Sequence, residues 1–156
     1  CANTVIQRKA FPSTEVYRTE SCGHGLRLLE DVSHGSMIIE YTGEVISGDE
    51  CDARRRKMKD NEDFYYASLC GGYVLDAKFM GSSARFANHS CKPNCQMRKW
   101  VSLGEPRLVL VALMDISAGS DITYNYHCHS DGLDQTTKRQ VCRCGASNCS
   151  GTIGGK

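Results

Sequence analysis

Apolar and polar residues along this chain mostly follow one another in short runs with a period near two, the mark of strands. Ser36 to Ile46 reads SMIIEYTGEVI, rich in β-branched and aromatic residues and interrupted once at Gly43, as at a bulge or a close approach of backbones. Phe64-Tyr65-Tyr66 begins a further strand, Gly71-Gly72 makes a hairpin turn, and Tyr73 to Ala77 returns from it. Arg107 to Ile116 is apolar enough for a central strand, and Ala118-Gly119 is a turn. Asp121 to Tyr126 is then a short strand that carries Tyr124 and Tyr126 on one face. Cys22-Gly23-His24-Gly25 is a glycine-bracketed turn into another strand, and two glycines so close allow a ligand to lie against bare backbone. Only one segment turns helical. Ser47-x-x-Glu50 is a capping box opening a helix of about twelve residues. Its acidic residues (Asp49, Glu50, Asp52) come first and its basic ones (Arg54, Arg55, Arg56, Lys57, Lys59) follow, matching the macrodipole. Residues 1–20 have no strong period, and His127 to Lys138 reads as a mobile loop. The class is mostly β, with one clear helix.

One stretch breaks the pattern. Arg85-Phe86-Ala87-Asn88-His89-Ser90-Cys91-Lys92-Pro93-Asn94-Cys95 sets polar side chains between segments that read as buried strands. Such groups are costly to bury without partners, so a polar knot in this position is more often a site than a loop.

Composition adds bounds. A chain of 156 residues is expected to form one domain with a real core. A formal net charge of +1 gives no global drive toward nucleic acid or membrane, and no apolar run approaches the ~20 residues of a membrane span. The basic helix run offers a contact with nucleic-acid phosphates, but a solvated helix face is the stronger reading. Nothing at the start resembles a signal peptide, and the opening Cys1-Ala2-Asn3 is abrupt, as in a fragment of a longer protein. Ten cysteines suit either disulfides or metal. Cys142-x-Cys144 holds its sulfurs too close for independent bridges but suits two ligands of one ion, which favours a reduced metal protein. Cys142, Cys144 and Cys149 are one short of a tetrahedral zinc site; Cys91, Cys95, Cys128 or a histidine is the fourth. The plain alternative is three free thiols in a loose tail. Cys1 is either a ligand of a cluster upstream or a buried thiol.

Taken together, several motifs resemble the SET-domain protein lysine methyltransferases. They are Gly23-x-Gly25-x-Arg27, Tyr41-x-Gly43-Glu44, Arg85-Phe86-x-Asn88-His89-Ser90-Cys91-x-Pro93-Asn94, Thr123-Tyr124-x-Tyr126 and the cysteine tail. Cys1-Ala2-Asn3 with Ile6-Gln7-Arg8, and Asn94-Cys95-x3-Lys99-Trp100, resemble the AWS-bearing (associated-with-SET) absent-small-homeotic and nuclear-receptor-binding SET classes. The resemblance implies the SET fold, small twisted sheets around a knot-like core, with a C-terminal post-SET zinc motif. Its divisions would be residues 1–15, the end of the AWS-like segment; 16–127, the SET domain; and 128–156, an inhibitory-type loop and the zinc tail.

The same resemblance implies roles. S-adenosylmethionine would be held by Gly23, His24, Gly25, Tyr65, Arg85, Asn88 and His89, with Gln140 and Ile153 closing over its adenine. Tyr126 matches the catalytic tyrosine, Tyr41 helps line the lysine channel, and a hydroxyl on Tyr124 implies mono- and dimethyl products. Cys91 matches the zinc ligand outside the tail, completing Cys142, Cys144 and Cys149. His24 stands where the family carries tryptophan, Asn125 where aspartate is commoner, and Ser150 where arginine is usual. The implied partners are the histone H3 tail and the nucleosome, with lysine-36 as target and nucleosomal DNA as a further contact. The implied setting is chromatin in the nucleus, with the chain a monomeric domain of a larger protein and no membrane role. The 127–138 loop, with Ser130 near the channel mouth, would restrain activity. Two alternatives stay open: methylation of another lysine such as lysine-4, and a catalytically silent SET module that binds histone tails. A zinc-stapled domain without cofactor is a remote third.

Overall fold

The computed structural model describes residues 2–20, 22–58, 65–126 and 140–153. The expected helix is α2, Gly48–Arg56, capped at Ser47, whose hydroxyl accepts from the Glu50 amide. The other half of the box is not made by Glu50, whose carboxylate pairs with Arg54 one turn on. A shorter helix, α1 (Ala2–Arg8), and a strand, β1 (Thr14–Arg18), occupy the stretch whose sequence carries no period. Ile6 of α1 is buried with Val109 and Val111, beside Phe11, Met37 and Trp100. That single apolar anchor is too sparse to register as a repeat.

The segment 36–46 is not one interrupted strand. It divides at Thr42 into β3 (Met37–Tyr41) and β4 (Gly43–Ser47), which join different sheets. The reason sits at Gly43, where a Cβ would lie 2.7 Å from the Asp76 carbonyl oxygen. This is the close backbone approach its glycine suggests, and the register of β4 shifts there. β4 pairs with β6 (Tyr73–Gly81), which pairs in turn with β5 (Tyr66–Ser68) across the Gly71-Gly72 turn. Both glycines have positive φ, 61° and 79°, as that turn demands. β3 pairs with β9 (Glu105–Ala112), the expected central strand, flanked on its other side by β8 (Cys95–Ser102).

Between these sheets lies the apolar centre: Leu26, Leu28, Ile38, Leu108, Leu110 and Ile122 are essentially inaccessible to solvent. Leu26 and Leu28 come from β2 (His24–Leu28), which pairs with β1. The polar knot begins in a 3₁₀ turn, Ser83–Phe86, and continues as β7 (Asn88–His89). β7 lies parallel to β10 (Thr123–Tyr124), with Thr123 opposite Asn88 and Tyr124 opposite His89. Residues 119–124 are held on their other side by β2, through Leu28 N–H to Ser120 O and Ile122 N–H to Leu26 O. The tail forms β11 (Gln140–Val141) against β12 (Thr152–Ile153). Small sheets around this crossing make the fold mostly β, as expected. Among the described residues no helix is long and apolar enough to cross a membrane.

The basic helix run is only partly a solvated face. Arg54 reaches back into the structure, its guanidinium shared by Glu44, Glu50 and the buried Asp76. It fastens α2 to β4 and β6. Lys59 lies outside the described residues.

Candidate functional site

The polar knot meets the tyrosine segment through Ala87, Asn88, His89, Ser90 and Asn94. The Ser90 amide donates to Tyr124 O, and Tyr126 donates its hydroxyl to Ala87 O at 3.0 Å and its amide to His89 Nδ1 at 3.3 Å. Asn94 accepts from the Thr123 amide and hydroxyl and donates to Asp121 O at 2.7 Å. The polar side chains of the knot are therefore partnered, which removes the cost of placing them among strands.

These contacts gather three tyrosines. The rings of Tyr124 and Tyr126 stand 4.8 Å apart, tilted by 46°. Tyr41, 3% exposed, donates its hydroxyl to Tyr65 O. Burial pushes the Tyr41 and Tyr124 phenols well above their ordinary 10, and each is raised further by the neighbouring tyrosines. Both are protonated at neutral pH, so they act as hydroxyls and not as phenolate bases. Tyr66, also raised by burial, to about 12, packs with Ile46 and Val74 beneath α2.

Of the positions expected to hold a cofactor, the structure brings several together. The Asn88 side chain donates to His24 O at 3.1 Å, and the His24 ring lies 5.5 Å from Phe86. Gly23 has positive φ and open space where a Cβ would stand, so a ligand can approach its backbone. Gly25 differs: a Cβ there would sit 2.8 Å from both Tyr17 and Thr19, so this glycine admits protein side chains. Arg85 lies over Phe86 and spends one guanidinium nitrogen on the carbonyls of Ala77 and Lys78. Tyr65 offers its carbonyl to the Tyr41 hydroxyl and to the Ala77 amide. Gln140 and Ile153 pair with each other across β11 and β12.

A second cluster forms behind the knot. The sulfurs of Cys91, Cys142, Cys144 and Cys149 all lie within 4.8 Å of one another. Cys91 Sγ is 3.9 Å from that of Cys142 and 4.0 Å from that of Cys149. Tetrahedral zinc with Zn–S bonds of about 2.3 Å sets sulfurs ~3.8 Å apart, so these four fit that ion. Amides point at the sulfurs, Cys91 N–H at Cys144 and Gly151 N–H at Cys149. The Cys91 and Ala146 amides hold the Cys144 thiol down to about 6, while burial pushes Cys142 up to about 12. Among the candidates for fourth ligand, Cys91 meets the tail. Cys95 does not: it is fully buried in β8, its thiol raised to about 12 by desolvation. Cys128, Ser130 and the rest of the 127–138 loop lie outside the described residues, as does Cys1.

Some contacts had no sequence signal. The Tyr17 hydroxyl donates to Asp121, 104 residues away, and Arg27 stacks on Tyr17 while pairing with Glu15. Asn148 donates to Cys91 O, tying the tail to the knot a second time. Nothing in a period or a motif announces such pairs.

The chain is similar in sequence and in fold to known proteins. The chain is 40% identical over 156 residues to a "Histone-lysine N-methyltransferase, H3 lysine-36 specific" of Mus musculus, an overlap covering 99% of this chain and 6% of that protein. It is 40% identical to the histone-lysine N-methyltransferase ash1 of Drosophila melanogaster over all of this chain and 7% of the relative. Against ASHH3 of Arabidopsis thaliana the identity is 37%, over all of this chain and 42% of the relative. The chain thus spans a small part of the longer relatives. A solved structure, "ctPRC2 in an autoinhibited conformation bound to S-adenosylmethionine", superposes with a TM-score of 0.75 at 34% identity, over 81% of this chain and 16% of that one. The family model described as SET domain matches residues 23–127, which take in the glycine turn, both three-stranded sheets, the knot and the tyrosines. On that match, and on a fold built around the same segments, the chain belongs to the SET domain family.

Proposed function

We propose that this chain is an S-adenosylmethionine-dependent protein lysine N-methyltransferase that acts on lysine-36 of histone H3 in nucleosomes. The observation that carries the reading is the convergence of Tyr124 and Tyr126 on the Ala87–Asn94 knot, with Tyr41 close by, in a chain 40% identical to enzymes named for that lysine. In this reading Gly23, His24, Gly25, Tyr65, Arg85, Asn88 and His89 hold the methyl donor, with Gln140 and Ile153 closing over it. The open backbone at Gly23 beside the His24 and Asn88 pair suits such a ligand. S-adenosylmethionine, when bound, supplies a methyl group on a sulfonium that is already a good leaving group.

The residues then have physical tasks. Rings of Tyr41, Tyr124 and Tyr126 desolvate an entering lysine, which lowers its pKa and favours the neutral, nucleophilic amine. Water carries its proton away before attack. Tyr126 and Tyr41 give their hydroxyl hydrogens to the Ala87 and Tyr65 carbonyls, leaving oxygen lone pairs to orient the amine. The same oxygens stabilise positive charge as it moves onto nitrogen. The Tyr124 hydroxyl crowds a third methyl, so the products are mono- and dimethyl-lysine. Cys91, Cys142, Cys144 and Cys149 hold one structural zinc, which fastens the tail to the knot.

Residues 1–15, 16–127 and 128–156 are taken as the AWS-like end, the SET domain, and the loop with the zinc tail. The histone H3 tail and the nucleosome are the proposed partners, with a contact to nucleosomal DNA, and nuclear chromatin is the proposed location. Incubating the zinc-loaded chain with S-adenosylmethionine and whole nucleosomes, then mapping methyl groups by mass spectrometry, tests this. Dimethylation confined to lysine-36 and lost in Tyr126→Phe is expected. Methylation at another lysine such as lysine-4 removes the subgroup assignment. Cofactor binding without transfer points to restraint by the 127–138 loop before it points to a silent module, and absence of both removes the enzyme reading altogether.

A further inference from the structure

Behind Tyr126 stands a side chain whose position the cofactor role does not explain. His89 sits between the tyrosine and the cysteine cluster. Its Nδ1 lies 3.3 Å from the Tyr126 amide nitrogen, and its Nε2 lies 3.5 Å from Cys91 Sγ. The Tyr126 amide is a donor only, so Nδ1 must present its lone pair. The neutral ring then carries its one hydrogen on Nε2, directed at the Cys91 sulfur. A metal-bound thiolate is a good acceptor for such a hydrogen. The ring is also packed edge-on against the Tyr126 ring, centroids 5.3 Å apart at 67°. Backbone pairing adds rigidity, because His89 lies opposite Tyr124 in the β7–β10 ladder.

We propose that His89 is a positioning residue that couples the four-cysteine metal centre to the backbone of Tyr126. This inference rests on the methyltransferase reading, in which Tyr126 orients the substrate amine and the four cysteines share one ion. A flat five-membered ring permits little play: a shift of the Cys91 sulfur moves one end of a two-ended hydrogen-bonded link, and the Tyr126 amide is the other end. The metal then does more than hold the tail down, since its presence is felt at the tyrosine through a single side chain. Conversely, the donor from Nε2 steadies the Cys91–metal bond in the way outer-shell hydrogen bonds steady metal ligands.

Two substitutions separate the two ends. In His89→Asn, the side-chain oxygen can take the place of Nδ1 and accept from Tyr126, while nothing reaches Cys91. In His89→Gln, the terminal amide can take the place of Nε2 and donate to Cys91, while nothing accepts from Tyr126. Three readouts are made on the purified, zinc-loaded chain: the rate of zinc release to a chromophoric chelator, the Tyr126 amide proton shift by nitrogen-15 NMR, and kcat and KM for methyl transfer to histone peptide.

The expected pattern is crossed. His89→Asn releases zinc about tenfold faster or more, yet keeps the Tyr126 amide shift. His89→Gln holds zinc at the wild-type rate, moves the Tyr126 amide upfield, and lowers kcat with peptide KM unchanged. Parallel loss of both properties in both variants, or no change in either, overturns the coupling and leaves His89 a packing residue. Should only one variant fold, its own metal and amide readouts decide, because each variant predicts one kept and one lost. If the wild-type chain transfers no methyl, the enzyme reading fails separately, and the zinc-release and amide arms still support or overturn the link.

Discussion

Replacing Asn94 by alanine strips the crossing of a side chain that fastens it three times. Three hydrogen bonds go: from the Thr123 amide at 2.9 Å, from the Thr123 hydroxyl at 3.2 Å, and to Asp121 O at 2.7 Å. The backbone contacts of residue 94, to Thr123 Oγ1 and from the Leu113 amide, survive the change. Each lost bond contributes about 1 kcal/mol net. Asn94 and Thr123 are half-buried, and the Thr123 hydroxyl can turn to water, so two of the three count in full. The expected loss is roughly 2 kcal/mol, or a fall of about 4–8 °C in Tm for a chain of this size. Thr123 leads directly into Tyr124, so loosening it displaces the tyrosines and lowers kcat by roughly tenfold to a hundredfold. Urea unfolding followed by circular dichroism gives the first quantity, and peptide methylation gives the second. Lys92→Ala, an exposed neighbour in the same loop, is the control and is expected to stay within about 0.5 kcal/mol of wild type. Were Asn94→Ala as stable and active as that control, the knot would owe nothing to its asparagine and the argument would be wrong.

Other outcomes follow from the same geometry. In the proposed reading the Tyr124 hydroxyl crowds a third methyl, so Tyr124→Phe is expected to add trimethyl-lysine to the products, read by mass spectrometry; an unchanged product ceiling would place the limit elsewhere. Iodoacetamide near pH 8 should label the exposed Cys22 and Cys70 but spare Cys51 and Cys95, both fully buried and with thiols raised by desolvation. Peptide mapping reads this, and the four cluster cysteines should become reactive only after chelation of the metal. Tyr17 has a folded pKa of about 12, above its ordinary 10, chiefly through its hydrogen bond to Asp121. The folded state therefore binds that proton more tightly, and its contribution, complete below pH 10, is lost as pH rises from 10 toward 12. Urea midpoints of Tyr17→Phe should fall less steeply than wild type across that window, and equal slopes would count against the Asp121 contact.

How much of this was legible in the chain depended on distance. Ser47 and Glu50 announced the start of α2 because capping is a matter of three residues, and the Gly71-Gly72 turn because positive φ is a property of single residues. The SET-type motifs identified the fold, since each is a contiguous run whose chemistry is local. Where the chain had to meet itself, residue types were not enough. The split of 36–46 into strands of two sheets follows from the Asp76 backbone lying against Gly43, and the periodicity of SMIIEYTGEVI does not contain it. Arg54 looked like its neighbours Arg55 and Arg56, yet the buried Asp76 singles it out as the pin of α2.

The four cysteines make the same point at the metal centre. Spacing within the tail supplied three ligands, because they are bound to one another by a few residues of chain. The fourth was open among Cys91, Cys95, Cys128 and a histidine, and spacing alone does not choose between them. Among the described residues the tertiary structure separates two of them: Cys95 is fully buried in β8 among apolar side chains, while the Cys91 sulfur lies with the three of the tail. The sequence by itself determined which groups were available, which turns were required and which family the motifs belonged to. Only the folded chain determined which of those groups meet, because hydrogen bonds such as Tyr17 to Asp121 or Asn148 to Cys91 depend on a hydrophobic core that brings distant segments together.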